Sequence, residues 1–159
     1  MIQHMGLDPK EPFPKRPRLK NFDYSGMYAY FITILTKNHA TYFREAEVVE
    51  CVINILNGTT KSERFDVLTY CFMPDHLHLL VIGTEDHSNL KKFITHFKQK
   101  SGYWFKKNYN RDLWHISYFE HVLRKEENME DIALYILGNP LRKGLVSDFR
   151  EYPFSKSFL

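Results

Sequence analysis

Cysteine is nearly absent from this 159-residue chain: Cys51 and Cys71 are its only two, each inside an apolar stretch. Thiols so placed argue against a disulfide framework and against a cysteine-rich zinc site, and favour a reducing, cytoplasmic setting. Long hydrophobic runs are missing too. None approaches the ~20 residues of a membrane-crossing helix, and the opening residues lack the apolar core of a signal peptide. No internal repeat or low-complexity linker divides the chain, so its length fits one domain with room for a full core. Charge is only mildly one-sided, at +3 from 22 basic and 19 acidic residues, which permits an acidic partner without requiring one. Aromatic residues are plentiful at 16%, and surplus rings serve either as bulky core or as a stacking surface.

Residues 1–25 hold four prolines between positions 9 and 17 together with a basic cluster, and read as an extended arm ahead of a single domain over 26–159. The aromatic and β-branched run at 27–36 predicts a buried strand. Apolar residues at helical spacing predict a helix over 41–58, stopping at Asn57-Gly58. Strands are expected at 64–73 and 76–83, joined through the tight turn that Pro74-Asp75 favours. A second helix over 88–108, a strand over 116–124 and a last helix ended by Pro140 complete the series. The order matches the ferredoxin-like split β-α-β sandwich: an α+β fold with a four-stranded antiparallel sheet, two crossover helices and an added C-terminal helix. So common a fold carries no function by itself.

Within the third expected strand, His76 and His78 flank one leucine. Side chains alternate along a strand, so both imidazoles share a face, with backbone positions roughly 6.5 to 7 Å apart. That spacing lets the two rings lean onto one divalent ion, although an inward histidine is more often hydrogen-bonded filler. In the last helix, Asn128, Asp131, Tyr135 and Asn139 step by three, four and four residues along a polar face. Tyr135 and Asn139 are thus one turn apart, so a carboxamide oxygen could join a metal site beside a phenol. On spacing alone the simpler account is the stronger: Tyr135 at an amphipathic edge, Asn139 capping the helix before Pro140. Tyr103 and Tyr118 are rival candidates for a nucleophile, and neither has an oxygen ligand one turn away.

The stretch "FMPDHLH" at 72–78 followed by "YILGNPLRKGLV" at 135–146 resembles the histidine-hydrophobic-histidine motif and tyrosine helix of single-tyrosine transposases. The likeness is greatest to the REP-associated tyrosine transposases, and extends through residues 16–38, 112–124 and 152–157. The family more often has asparagine where this chain has Asp75. The resemblance implies that His76, His78 and Asn139 are metal ligands and Tyr135 the nucleophile. Asp131, one turn before Tyr135, is a candidate to orient it. The implied activity is cleavage and rejoining of single-stranded DNA beside short hairpins through a 5′-phosphotyrosine. Magnesium or manganese suits the mixed nitrogen and oxygen ligands, though the histidines would also accept zinc. A non-catalytic hairpin-binding regulator of the same descent is the alternative.

Lys15, Arg16 and Arg18 in the arm, Lys98 and Lys100 on the second helix, and Arg142 and Lys143 after the tyrosine helix are candidate contacts to DNA. A prokaryotic, nucleoid-associated location follows from the resemblance. A monomer and a homodimer that exchanges the tyrosine helix both remain open.

Overall fold

The computed structural model describes residues 19–159. Five strands form one sheet in the order β4-β1-β3-β2-β5: β1 Ala29–Thr36, β2 Phe65–Met73, β3 His76–Gly83, β4 Trp114–Val122 and β5 Ser155–Ser157. All its pairings are antiparallel. Helices α1 (Ala46–Glu63) and α2 (Leu90–Tyr109) are the crossovers; α3 (Met129–Leu137) and the short α4 (Asn139–Arg142) follow β4. The ferredoxin-like expectation holds for the first four strands. The sheet has one strand more than expected, because residues 155–157 return to pair with Thr69–Cys71 on β2. Among the described residues no helix is long and apolar enough to cross a membrane.

Strand alternation divides the interior into two layers. On one face Tyr30, Ile32, Ile34, Leu77, Leu79 and Val81 pack with Val49, Val52 and Leu56 of α1 and Phe93, Ile94 and Phe97 of α2. Phe31, Cys71, Met73 and Leu80 point the other way and meet Ile132, Ala133 and Ile136 of α3. The last helix therefore covers the sheet face opposite the two crossovers. His76 and His78 lie on the α3 side.

Three local expectations are corrected. Helix α1 does not stop at Asn57-Gly58 but continues to Glu63, where Arg64 in the left-handed region caps it. Thr59 and Thr60 are buried, and their hydroxyls donate to the carbonyls of Ile55 and Asn57, so packing carries the helix past the glycine. Pro140 does not end the chain's helical path; it stands in the first turn of α4, after α3 has closed at Leu137. The folded unit also begins before Gly26. Phe22 and the buried Tyr24 pack onto the α1/α2 side, and the Tyr24 hydroxyl donates to Glu120 at 3.1 Å.

Candidate active site

His76 and His78 occupy β3 opposite Leu35 and Thr33 of β1, and opposite Met73 and Cys71 of β2. A central strand gives each imidazole a fixed backbone on both sides. Their rings stand nearly perpendicular, at 82°, with the Nε2 atoms 3.1 Å apart. The far nitrogens are held as well: His76 Nδ1 lies 2.7 Å from the Asp75 carboxylate, and His78 Nδ1 lies 3.0 Å from the Thr33 hydroxyl. A carboxylate can only accept, so His76 carries its proton on Nδ1 and turns a lone pair inward from Nε2. With both rings neutral, His78 Nε2–H donates to that lone pair and Thr33 donates to His78 Nδ1. The relay closes with one proton per ring.

Burial, the neighbouring His76 and the Arg142 guanidinium all hold the His78 imidazole well below the usual histidine range. A neutral ring is the form that ligates metal. Nitrogens 3.1 Å apart can both reach one ion at about 2.1 Å in adjacent coordination positions. His78 need only move its proton from Nε2 to Nδ1, where the Thr33 oxygen can accept it. The Asp75–His76 pair is already arranged as a carboxylate–histidine–metal unit. The donor set therefore fits a divalent ion. Among the described residues no third histidine, cysteine or carboxylate completes a cluster with the pair.

Tyr135 projects from α3 onto this face. Its ring meets Phe31 edge-on, with centroids 6.3 Å apart, and Phe31 also packs on His78 at 5.6 Å. One phenylalanine thus spans the histidine pair and the tyrosine. Tyr103 and Tyr118 belong to the other layer: Tyr103 is exposed on α2, and Tyr118 packs into the α1/α2 core.

The turn after Tyr135 is shaped by Pro140, which has no N–H to offer the carbonyl four residues back. Asn139 Nδ2 donates to that carbonyl, of Ile136, at 3.1 Å, and more weakly to Tyr135 at 3.4 Å. Asn139 is buried, and with its nitrogen spent on the helix its oxygen is the group left for another partner. Asp131 joins the Asn128 cap at the other end of α3 through its backbone amide.

The expected DNA contacts fare unevenly. Lys98 donates to the carbonyls of His115 and Ile116 at 2.8 and 3.1 Å, tying α2 to β4, and burial lowers its ammonium below the usual lysine range. Lys100 is exposed on the same helix, in the layer opposite the histidines. Arg142 turns inward: its guanidinium lies 4.0 Å above the Tyr135 ring and donates to the Tyr135 carbonyl at 2.7 Å. Lys143 is exposed beside it. Lys15, Arg16 and Arg18 lie outside the described residues. Asp75, Thr33 and Phe31 join the site beyond the residues expected from spacing or resemblance. A carboxylate next to a histidine was a signal for the first; the others depend on strand register.

Residues 24–139 match the family described as transposase IS200 like. A Haemophilus influenzae protein assigned provisionally to the REP-associated tyrosine transposases is 26% identical over 150 residues, covering 86% of this chain and 82% of that protein. The REP-associated tyrosine transposase of Escherichia coli K12 is 26% identical over 102 residues, covering 60% of this chain and 56% of its own. A REP-associated tyrosine transposase solved with a REP hairpin superimposes with a TM-score of 0.69 at 17% identity, covering 88% of this chain and 82% of the other.

Proposed function

The chain belongs to the IS200-like transposase family, and from that premise we propose that it cleaves and rejoins single-stranded DNA beside short hairpins, with Tyr135 as nucleophile. The observation that supports this most directly is the convergence of the His76 and His78 Nε2 atoms to 3.1 Å on the sheet face that also receives Tyr135. His76, His78 and Asn139 would hold a divalent ion, magnesium or manganese. When bound, such an ion neutralises charge on a non-bridging phosphate oxygen and orients phosphorus for attack.

The chain's own residues do the rest. Asp75 and Thr33 keep the two imidazoles pointed inward. Phe31 fixes the spacing between His78 and the Tyr135 ring. A phenol is protonated at neutral pH and is a weak nucleophile unless its surroundings favour attack. Tyr135 displaces the 3′ oxygen and retains the 5′ phosphate as an ester; attack by another 3′ hydroxyl reverses the step and frees the phenol. Asp131 is the candidate to orient the phenol. Hairpin DNA as substrate is supported by the hairpin bound to the structural relative. Lys143, exposed just after the tyrosine helix, is the candidate to meet its phosphates.

The test is a covalent protein–DNA adduct. A single-stranded hairpin oligonucleotide taken from the DNA flanking the gene, with manganese, should give an adduct that Tyr135→Phe abolishes while hairpin affinity is kept. Equal adduct from that variant would refute the assignment. Hairpin binding without cleavage across a broad panel would instead identify a regulator.

A further inference from the structure

Arg142 was expected at the DNA surface, yet three observations draw it inside. Its guanidinium carbon lies over the Tyr135 ring, 4.0 Å from the centroid. Nη2 donates to the Tyr135 carbonyl at 2.7 Å. Nη1 is buried and has no hydrogen-bond partner among the described residues. A fourth observation explains the seat. A Cβ added to Gly138 would stand 2.8 Å from Nη1, whereas Gly138 itself has an ordinary helical φ of −75°, so its lack of a side chain serves space and not backbone conformation. Glycine at 138 is the notch in which the guanidinium rests.

Resting on the strand-cleavage reading above, we propose that Arg142 is the positioning residue of Tyr135, clamping its ring and its carbonyl from the Gly138 notch and so fixing the direction in which the phenol is presented. A single planar group that holds both the main chain and the ring face of one residue restricts the helix turn and the side-chain torsion together. Lysine could replace the carbonyl contact but not the ring contact, because an ammonium is a point donor without a stacking face. Two plainer roles fit less well. A phosphate contact needs an accessible fork, and here one amino group is spent and the other is covered. A helix cap would account for the carbonyl bond alone, and would leave the ring contact and the glycine notch unexplained.

Gly138→Ala is the sharpest variant. It leaves the arginine in the chain and suits the helical backbone; the added Cβ would press hardest on Nη1, the end of a flexible side chain, at 2.8 Å, and more lightly on the Leu134 carbonyl oxygen at 3.2 Å. Arg142→Ala and Arg142→Lys complete the set. Each is made in full-length protein carrying 3-fluorotyrosine at position 135, and three quantities are read: the fluorine resonance without DNA, the single-turnover rate of adduct formation with the flanking-DNA hairpin and manganese, and the hairpin dissociation constant. The fluorine resonance should move in all three variants. The adduct rate should fall on the order of 10- to 100-fold, the penalty of a misdirected reacting group, with Arg142→Lys still slow and the dissociation constant held within about twofold. A resonance unmoved by Arg142→Ala, or full rate in Arg142→Lys, overturns the proposal. So does a dissociation constant that weakens in step with the rate, since that is the mark of a phosphate contact. If the unsubstituted protein forms no adduct, strand cleavage by Tyr135 fails, and the fluorine resonance still decides whether Arg142 holds the ring.

Discussion

Acidification should weaken the fold through His78, by an amount that follows from its surroundings. The imidazole is partly buried, faces His76 Nε2 at 3.1 Å and has the Arg142 charge nearby, so protonation in the folded state is opposed from three directions. The unfolded chain has no such opposition and takes up a proton near pH 6.5. A histidine depressed in the fold contributes fully above its unfolded pKa and loses that contribution as pH falls, because the unfolded state then binds more protons. If His78 stays neutral in the fold, its share of the loss is on the order of 1 kcal/mol at pH 5.5 and about 2 kcal/mol at pH 5.0, relative to neutral pH. The assay is urea denaturation at half-unit steps from pH 7.5 to 5.0, on the parent and on His78→Gln. Glutamine can still bond Thr33 but has nothing to titrate. The parent should lose this increment and the variant should not, whatever constant offset separates them at neutral pH. Parallel curves for the two proteins would show that His78 accepts its proton in the fold, and would remove the basis for a neutral ring at that position.

Asp75→Ala removes the acceptor that sets the His76 tautomer, and should weaken manganese binding roughly 10- to 100-fold in a titration followed by electron paramagnetic resonance. Asp75→Asn keeps an oxygen acceptor at the same reach and should stay much closer to the parent; equal binding by all three proteins would show that the 2.7 Å contact orients nothing. Gly58→Ala tests the unexpected continuation of α1. Gly58 is exposed inside the helix, with open space where a methyl group would stand, so the substitution should stabilise the protein by about 0.5 to 1 kcal/mol in denaturant titrations. Destabilisation there would mean that the helix is broken at Asn57-Gly58 after all.

How far the sequence could be read depended on how local each cause was. The hairpin of β2 and β3 was legible almost to the residue, because alternation along 76–83 and the Pro74-Asp75 turn both act within a few positions. The overrun of α1 was not, since Asn57-Gly58 is a local stop signal overruled by burial of Thr59 and Thr60 further on. Strand β5 has only three residues, too few for any period to appear, and is recruited by the free edge of β2. Among the candidate site residues, His76 and His78 announced their shared face through spacing alone. Tyr135 stood out from Tyr103 and Tyr118 partly by resemblance; no period shows that Tyr118 packs in the α1/α2 layer while Tyr135 packs in the layer of α3.

Arg142 turns inward for a reason that the local sequence does not display. Basic residues after an active helix are ordinarily solvated, and nothing in "NPLRKG" says otherwise until the loss of the Pro140 N–H is counted. That loss, and the bend it forces between α3 and α4, leaves helix carbonyls without their usual donors. Asn139 takes one by its amide nitrogen and Arg142 takes another by Nη2. Both side chains are thereby turned back toward Tyr135, and Gly138 leaves room for the guanidinium over its ring. The proline, the asparagine, the arginine and the glycine are consequently one device: a broken helix whose repair holds a tyrosine in place on the sheet face that carries the two histidines.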